Sequence, residues 1–213
     1  MKIALIGATG FVGSKVLAEA LQRGHQVTAL VRTPSKLTPA AGLTVVAADA
    51  TDAGSLANHL TGHDAVVSAY NGPRETPEFA QRYREGTQAI VDGVKRSGVK
   101  RLLLVGGAGS LFVAPGVSLL DTPAFPAEYR TEAQAARDAL HLISEENGLE
   151  WSFVSPAPIL APGERTGRFR LGGDTVLMDG DQPGRISVED LAVAIVDELE
   201  TPRHVRRRFT LAY

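Results

Sequence analysis

Three glycines in the opening stretch, Gly7, Gly10 and Gly13 of "GATGFVG", are the first residues whose type and spacing point to chemistry. Lys2 to Ile6 before them is a short apolar run that predicts a buried strand. After them, Val12, Val16, Leu17, Ala20 and Leu21 fall at helical spacing, with Gly24 as the stop. The glycines therefore occupy a tight strand-to-helix turn. There a pyrophosphate can approach bare backbone and meet the unpaired amides of a helix N-terminus. Gly7 serves the turn's backbone angles, Gly10 lets phosphate come close, and Gly13 lets the helix pack against the strand. Thr9, Phe11 and Val12 supply backbone donors or wall.

A second constellation follows the next apolar run, where the chain reads "LVRTPSK". Dinucleotide sites that select NAD place a carboxylate near this strand end for the ribose 2′-hydroxyl, whereas NADP sites place an arginine there. No acid occurs between Glu19 and Asp49, and Arg32 ends the strand, with Thr33, Ser35 and Lys36 close behind. A guanidinium grips a 2′-phosphate with a two-pronged hydrogen bond. The expected cofactor is NADP(H) over NAD(H); the alternative for Arg32 is a solvated loop charge.

The elements that must position these residues alternate along the whole chain. Strands are expected at 2–6, 26–32, 43–49, 64–70, 101–107, 151–157 and 207–213. Helices are expected from Val12 to Gly24, from Thr51 or Asp52 to Gly62, at 77–97 behind Thr76 as cap and Pro77 in the first turn, at 127–147, and at 188–200 behind Ser187. Apolar strands alternating with helices predict an α/β fold: a doubly wound parallel sheet, the Rossmann fold, with helices on both faces. We expect one domain over 1–213. Two Gly- and Pro-rich segments, 108–126 and 158–186, follow strand ends and are assigned to the substrate side, the second as a small C-terminal lobe.

Bulk properties narrow the function classes. The chain has 213 residues, a net charge of −2, 44% hydrophobic and 22% charged residues, and no cysteine. It therefore has no disulfide framework, thiolate metal site or cysteine nucleophile. The charge gives no general attraction to nucleic acid or anionic membrane. No apolar run approaches the roughly 20 residues that span a bilayer. With a strand starting at the first methionine there is no room for a signal peptide, so a cytoplasmic protein is expected.

"GATGFVG" resembles the GxxGxxG turn of the short-chain dehydrogenase/reductase superfamily in its atypical branch. "LLLVGGAGSL", "FVSPAPILAPGERTGRFRLGGD" and "ISVEDLAVAIVDELE" resemble the NAD(P)-binding group of NmrA-like proteins and flavin reductases related to biliverdin reductase B. The likeness covers nearly the whole chain. It implies that Asp49 and Ala50 meet the adenine ring, although Asp49 equally suits a cap for the next helix. It also implies that Ala69, Tyr70 and Asn71 line the ribose side and that Gly106 meets the cofactor. Thr87 faces the same region or bonds its own helix.

Better-known members of that superfamily use Tyr-x-x-x-Lys, in which the lysine lowers the tyrosine's pKa from about 10 so that it exchanges a proton near neutral pH. Here "YRTEA" supplies Tyr129 but has Ala133 at the lysine position, and Arg130 points elsewhere on the helix. The partner serine is also displaced: Gly106, Gly107 and Ala108 stand where it is usual, and Ser110 is the nearest hydroxyl. Tyr129 and Ser110 are the candidates for substrate contact. Reduction of a flavin or quinone tolerates this loss, since the acceptor ring is itself the electron sink. Leu111, Phe112, Val113, Leu119, Leu120 and Phe125 are candidate walls for a flat ring, or a loop packed on the core. Arg165, Arg168 and Arg170 are candidates for an anionic group, or a charged surface. The alternative that the resemblance implies is an NmrA-like redox sensor that binds NADP and acts through a protein partner.

His59 and His63 have no third ligand, so no metal is expected. Arg206 to Arg208 lack an aromatic platform and predict no nucleic-acid binding. Helices 77–97 and 127–147 are candidate faces for a homodimer, by analogy with the superfamily.

Overall fold

The structure, a computed structural model, describes residues 1–72, 76 and 78–213. In chain order the first half contains β1 (Lys2–Ile6), α1 (Phe11–Gln22), β2 (Gln26–Val31), β3 (Leu43–Ala47), α2 (Ala53–Leu60), β4 (Ala65–Ser68), α3 (Phe79–Ser97) and β5 (Arg101–Val105). The second half contains the short strands β6 (Phe112–Ala114) and β7 (Val117–Ser118), then α4 (Arg130–Ser144) and β8 (Glu150–Pro156). Next come β9 (Ile159–Ala161), β10 (Arg170–Gly172), β11 (Met178–Asp179), β12 (Gln182–Pro183) and β13 (Arg185–Ser187), followed by α5 (Val188–Glu200) and β14 (Arg207–Ala212).

The main sheet has eight strands in the order β3-β2-β1-β4-β5-β8-β14-β10, all pairs parallel except β10 against β14. The order reverses beside β1, so the crevice between the C-terminal ends of β1 and β4 is where such a sheet takes a ligand. Because successive side chains leave opposite faces of a strand, β1 feeds two cores. Ile3 and Leu5 pack towards α1 and α5, and Ala4 and Ile6 towards α2, α3 and α4. Both faces of every central strand are thereby buried, which is why those strands read as unbroken apolar runs.

Local caps explain the helix limits. Asp52 accepts from the Ser55 amide to start α2, and Ser187 from the Asp190 amide to start α5. α3 ends at Gly98, whose φ of +82° is left-handed. Its start differs from expectation: Glu78 is the cap, while the Thr76 carbonyl accepts from the Phe79 amide. Pro77 lies outside the described residues. α4 is shorter than 127–147. Residues Ala127–Tyr129 form a 3₁₀ turn, and past Ser144 the side chains of Asn147 and Trp151 donate to the Glu145 and Glu146 carbonyls, which ends the helix early. The Gly- and Pro-rich residues 158–186 contain short strands that the sequence did not suggest: β9 pairs with β13, β11 with β12, and β10 extends the main sheet. No described helix is long and apolar enough to cross a membrane.

Candidate functional site

The turn after β1 is built from close backbone contacts. Gly7 has φ +85°, and a Cβ on it would lie 2.5 Å from the Ala69 carbonyl oxygen. Its own carbonyl accepts from the Gly10 amide at 2.9 Å. A Cβ on Gly13 would fall 2.1 Å from the Gly7 oxygen, so α1 can dock on the turn only through glycine. Gly10 is the cap residue of α1 and carries no side-chain cap. The first amide bonded within the helix is that of Ser14, to the Gly10 carbonyl, which leaves the Phe11, Val12 and Gly13 amides without helical partners. These amides and the helix dipole form a cradle suited to a diphosphate.

Two adjoining cavities meet at this cradle and share Gly10, Ala69, Tyr70 and Asn71 as lining. The smaller, about 270 Å³, is lined by Gly7, Thr9, Arg32, Asp49, Ala50 and Thr51, together with Arg82 of α3. Asp49 does not cap α2, a role taken by Asp52. Its Oδ1 accepts instead from the Thr51 amide at 2.9 Å and the Thr51 hydroxyl at 2.8 Å. The Thr51 amide, then its hydroxyl, hold the Asp49 carboxyl below the usual carboxylate range, with the charges of Arg32 and Arg82 adding to the effect. Lys36 is exposed in a 3₁₀ turn (Pro34–Lys36) and lines neither cavity.

Tyr70 separates the two cavities. Its ring stacks near Tyr83, with centroids 6.1 Å apart, and its hydroxyl donates to the Arg82 carbonyl at 3.1 Å. The ring lies so close to α3 that a Cβ on Gly86 would fall 2.4 Å from it. Burial, then the Asp49 charge, raise the Tyr70 pKa, so the phenol stays neutral and acts as a wall. Gly86 and Arg82 are site residues that sequence reasoning missed. A glycine inside an otherwise sound helix was the available signal for the first. Thr87 is buried and donates to the Tyr83 carbonyl, so it faces its own helix.

The larger cavity, about 550 Å³, lies beyond Gly10 over the end of β5. Gly106 is in its floor, and a Cβ there would strike the Phe153 ring at 2.1 Å. Leu119, Phe125 and four prolines (Pro126, Pro156, Pro158, Pro183) give it an apolar wall, and Tyr129, Glu132, Ala133 and Ala136 of the α4 side close it. Tyr129 is 57% exposed at this cavity. The loop after β5 packs directly on Ala133: a Cβ on Gly109 would be 2.8 Å from the Ala133 methyl. Arg130 donates to the carbonyls of Leu120, Thr122 and Phe125, away from Tyr129.

Several sequence candidates do not converge here. Ser110 is buried and turned the other way, accepting from Arg208 at both its hydroxyl (3.0 Å) and its carbonyl (2.8 Å). Of the six candidate wall residues, Leu111 and Leu120 are buried outside the cavity lining, and Phe112 and Val113 are exposed outside it. The arginine cluster is split. Arg165 pairs with Glu19 of α1 at 2.6 Å, Arg170 donates to the Tyr213 and Met178 carbonyls, and Arg168 is exposed. None of the three lines either cavity at the crevice.

Residues 7–202 match the family model described as NAD(P)H-binding, and the chain belongs to that family, an atypical short-chain dehydrogenase/reductase. It is 38% identical to the uncharacterised Bacillus subtilis protein YwnB over 99% of this chain and 98% of that one. Among solved structures it is similar to a Burkholderia pseudomallei protein provisionally named as exported (48% identity, TM-score 0.90, all of both chains). It is also similar to a Streptococcus pneumoniae protein provisionally named an NADH-flavin reductase (35% identity, TM-score 0.87, 100% of this chain and 99% of that one).

Proposed function

We propose that this protein binds NADP(H) in preference to NAD(H) and uses it to reduce a flat acceptor such as a flavin or quinone. The observation that carries the reading is the junction at Gly10: a backbone phosphate cradle opens directly into an apolar cavity on the substrate side. The reduced nicotinamide supplies a hydride when bound. The chain's own residues orient and exclude water. The amides of Phe11, Val12 and Gly13 take the diphosphate, Asp49 and Ala50 flank the adenine, and Arg32 takes the 2′-phosphate. Pro156, Pro158 and Phe125 supply a dry wall against which a planar ring stacks, which is positioning rather than proton chemistry. With Ala133 at the lysine position, α4 offers no Tyr-Lys dyad, and the acceptor's proton comes from solvent.

The similarity to the Streptococcus pneumoniae protein named for NADH-flavin reduction supports the acceptor class. Steady-state NADPH oxidation with riboflavin and with menadione tests the reading, run beside calorimetric titration with NADPH and NADH. Turnover above the free-acceptor background with tighter NADPH binding is expected. Tight binding without turnover of any acceptor would instead favour the redox sensor acting through a protein partner.

A further inference from the structure

We infer that Arg82 is a second specificity arm for the 2′-phosphate of NADP(H), reaching the nucleotide from α3 across the cavity from Arg32; this rests on the NADP(H) reading above.

Three observations carry it. Arg32 and Arg82 line the same small cavity from two different elements, the end of β2 and the first turn of α3. Both are exposed, and among the described residues neither guanidinium has a hydrogen-bond or ion-pair partner. Arginines with structural duties in this chain look different: Arg23, Arg101, Arg165 and Arg208 each pair with a carboxylate. The third observation is Asp49, an acid in the same lining whose carboxylate accepts from the Thr51 amide and hydroxyl.

The charges decide how many cations the rim needs. One arginine facing one aspartate leaves it with no net charge, and an approaching phosphate dianion would meet repulsion from Asp49 as well as attraction to Arg32. A second guanidinium makes the rim positive and gives the phosphate oxygens a donor from the other side. An NAD(H) site would not need it, since a ribose hydroxyl carries no charge. Removing the Arg82 side chain leaves its carbonyl in place to accept from Tyr70, so the wall between the cavities survives the substitution.

The test is calorimetric and independent of turnover, with 2′,5′-ADP and 5′-AMP as probes alongside NADPH and NADH. R82Q is expected to weaken 2′,5′-ADP and NADPH about tenfold while 5′-AMP and NADH change less than about twofold. R82K is expected to recover part of the loss, because an ammonium keeps the charge without the fork. Added salt should narrow the gap between wild type and R82Q. Equal weakening of both nucleotides, or no weakening of either, overturns the inference and leaves the NADP(H) reading standing. A wild-type protein that binds NADH and 5′-AMP as tightly as their 2′-phosphorylated partners overturns both.

Discussion

The nucleotide side and the acceptor side of the crevice differ in what holds them together. On the nucleotide side the controlling contacts are between backbone atoms close in sequence: Gly10 amide to Gly7 carbonyl, and Gly13 against Gly7. In the segments 108–126 and 158–186, which adjoin the acceptor side, they are side-chain contacts between distant parts of the chain. Ser110 is taken by Arg208, 98 residues away, and Arg165 by Glu19, 146 residues away. A turn that only glycine can make is therefore written locally. A cluster of like residues, such as Arg165, Arg168 and Arg170, carries no such guarantee, because each side chain goes to whichever distant partner the packed chain offers.

The sharpest way to break that comparison is at Gly13. In G13A the new Cβ would lie 2.1 Å from a backbone oxygen that cannot rotate away, so α1 must lift from the turn. A loss of about 3 kcal/mol or more in urea unfolding, together with no calorimetric heat from NADPH, is expected; the gain in helix propensity of about 1 kcal/mol does not offset it. Retained binding would show that the turn is not the seat of the dinucleotide.

Asp190 tests the acceptor side in the same units. It is fully buried and accepts from the Thr166 hydroxyl, the Gly167 amide at 2.7 Å and the Tyr213 hydroxyl at 2.8 Å, tying the 158–186 segment to α5 and to the residue after the final strand. D190A leaves the Gly167 amide unmatched and removes an acceptor from the Thr166 and Tyr213 hydroxyls, and urea unfolding should report about 2–4 kcal/mol. A change below about 1 kcal/mol would mean that the segment is held by something else.

Glu19 ties α1 to the same segment and makes the tie pH-dependent. The Arg165 hydrogen bond, with Arg23 adding to it against the opposing effect of burial, holds the Glu19 carboxyl below its ordinary value of 4.5. A carboxyl with a depressed folded-state pKa contributes stability that is fully present above its unfolded value of 4.5 and is lost as pH falls through the lower folded value. E19Q is expected to be about 1–2 kcal/mol less stable at pH 7, with a flatter stability curve between about pH 5 and pH 3. Parallel curves for variant and wild type would refute the coupling.

The smallest effect is predicted at Tyr129. The Tyr-Lys dyad is incomplete, with Ala133 at the lysine position, so Y129F should change flavin or quinone turnover less than about twofold. A hundredfold loss, the scale of general acid catalysis, would return that residue to the chemistry.

The order of the central strands and helices was legible because period-2 and period-3.6 burial are properties of short segments. Asp52 and Ser187 marked their helix starts through side-chain bonds only three residues long. Arg32 was legible from its place at a strand end. Arg82 was not, because nothing in "EFAQRYREG" marks which face of α3 looks at the crevice. The strand Arg170–Gly172 was also hidden, since three residues between glycines have no periodicity to read and gain their place only by pairing with β14.

By itself the sequence determined the doubly wound sheet, the glycine turn after its first strand and the cation at the end of its second. Each rests on steric and polar demands met within a few residues. Tertiary structure alone decided that Ser110 turns inward to Arg208, that the arginines of 165–170 disperse, and that Tyr70 seats on Gly86 between two cavities. Those outcomes depend on which distant segments compete for the same donors and the same space, and that is settled only when the two faces of the sheet are packed.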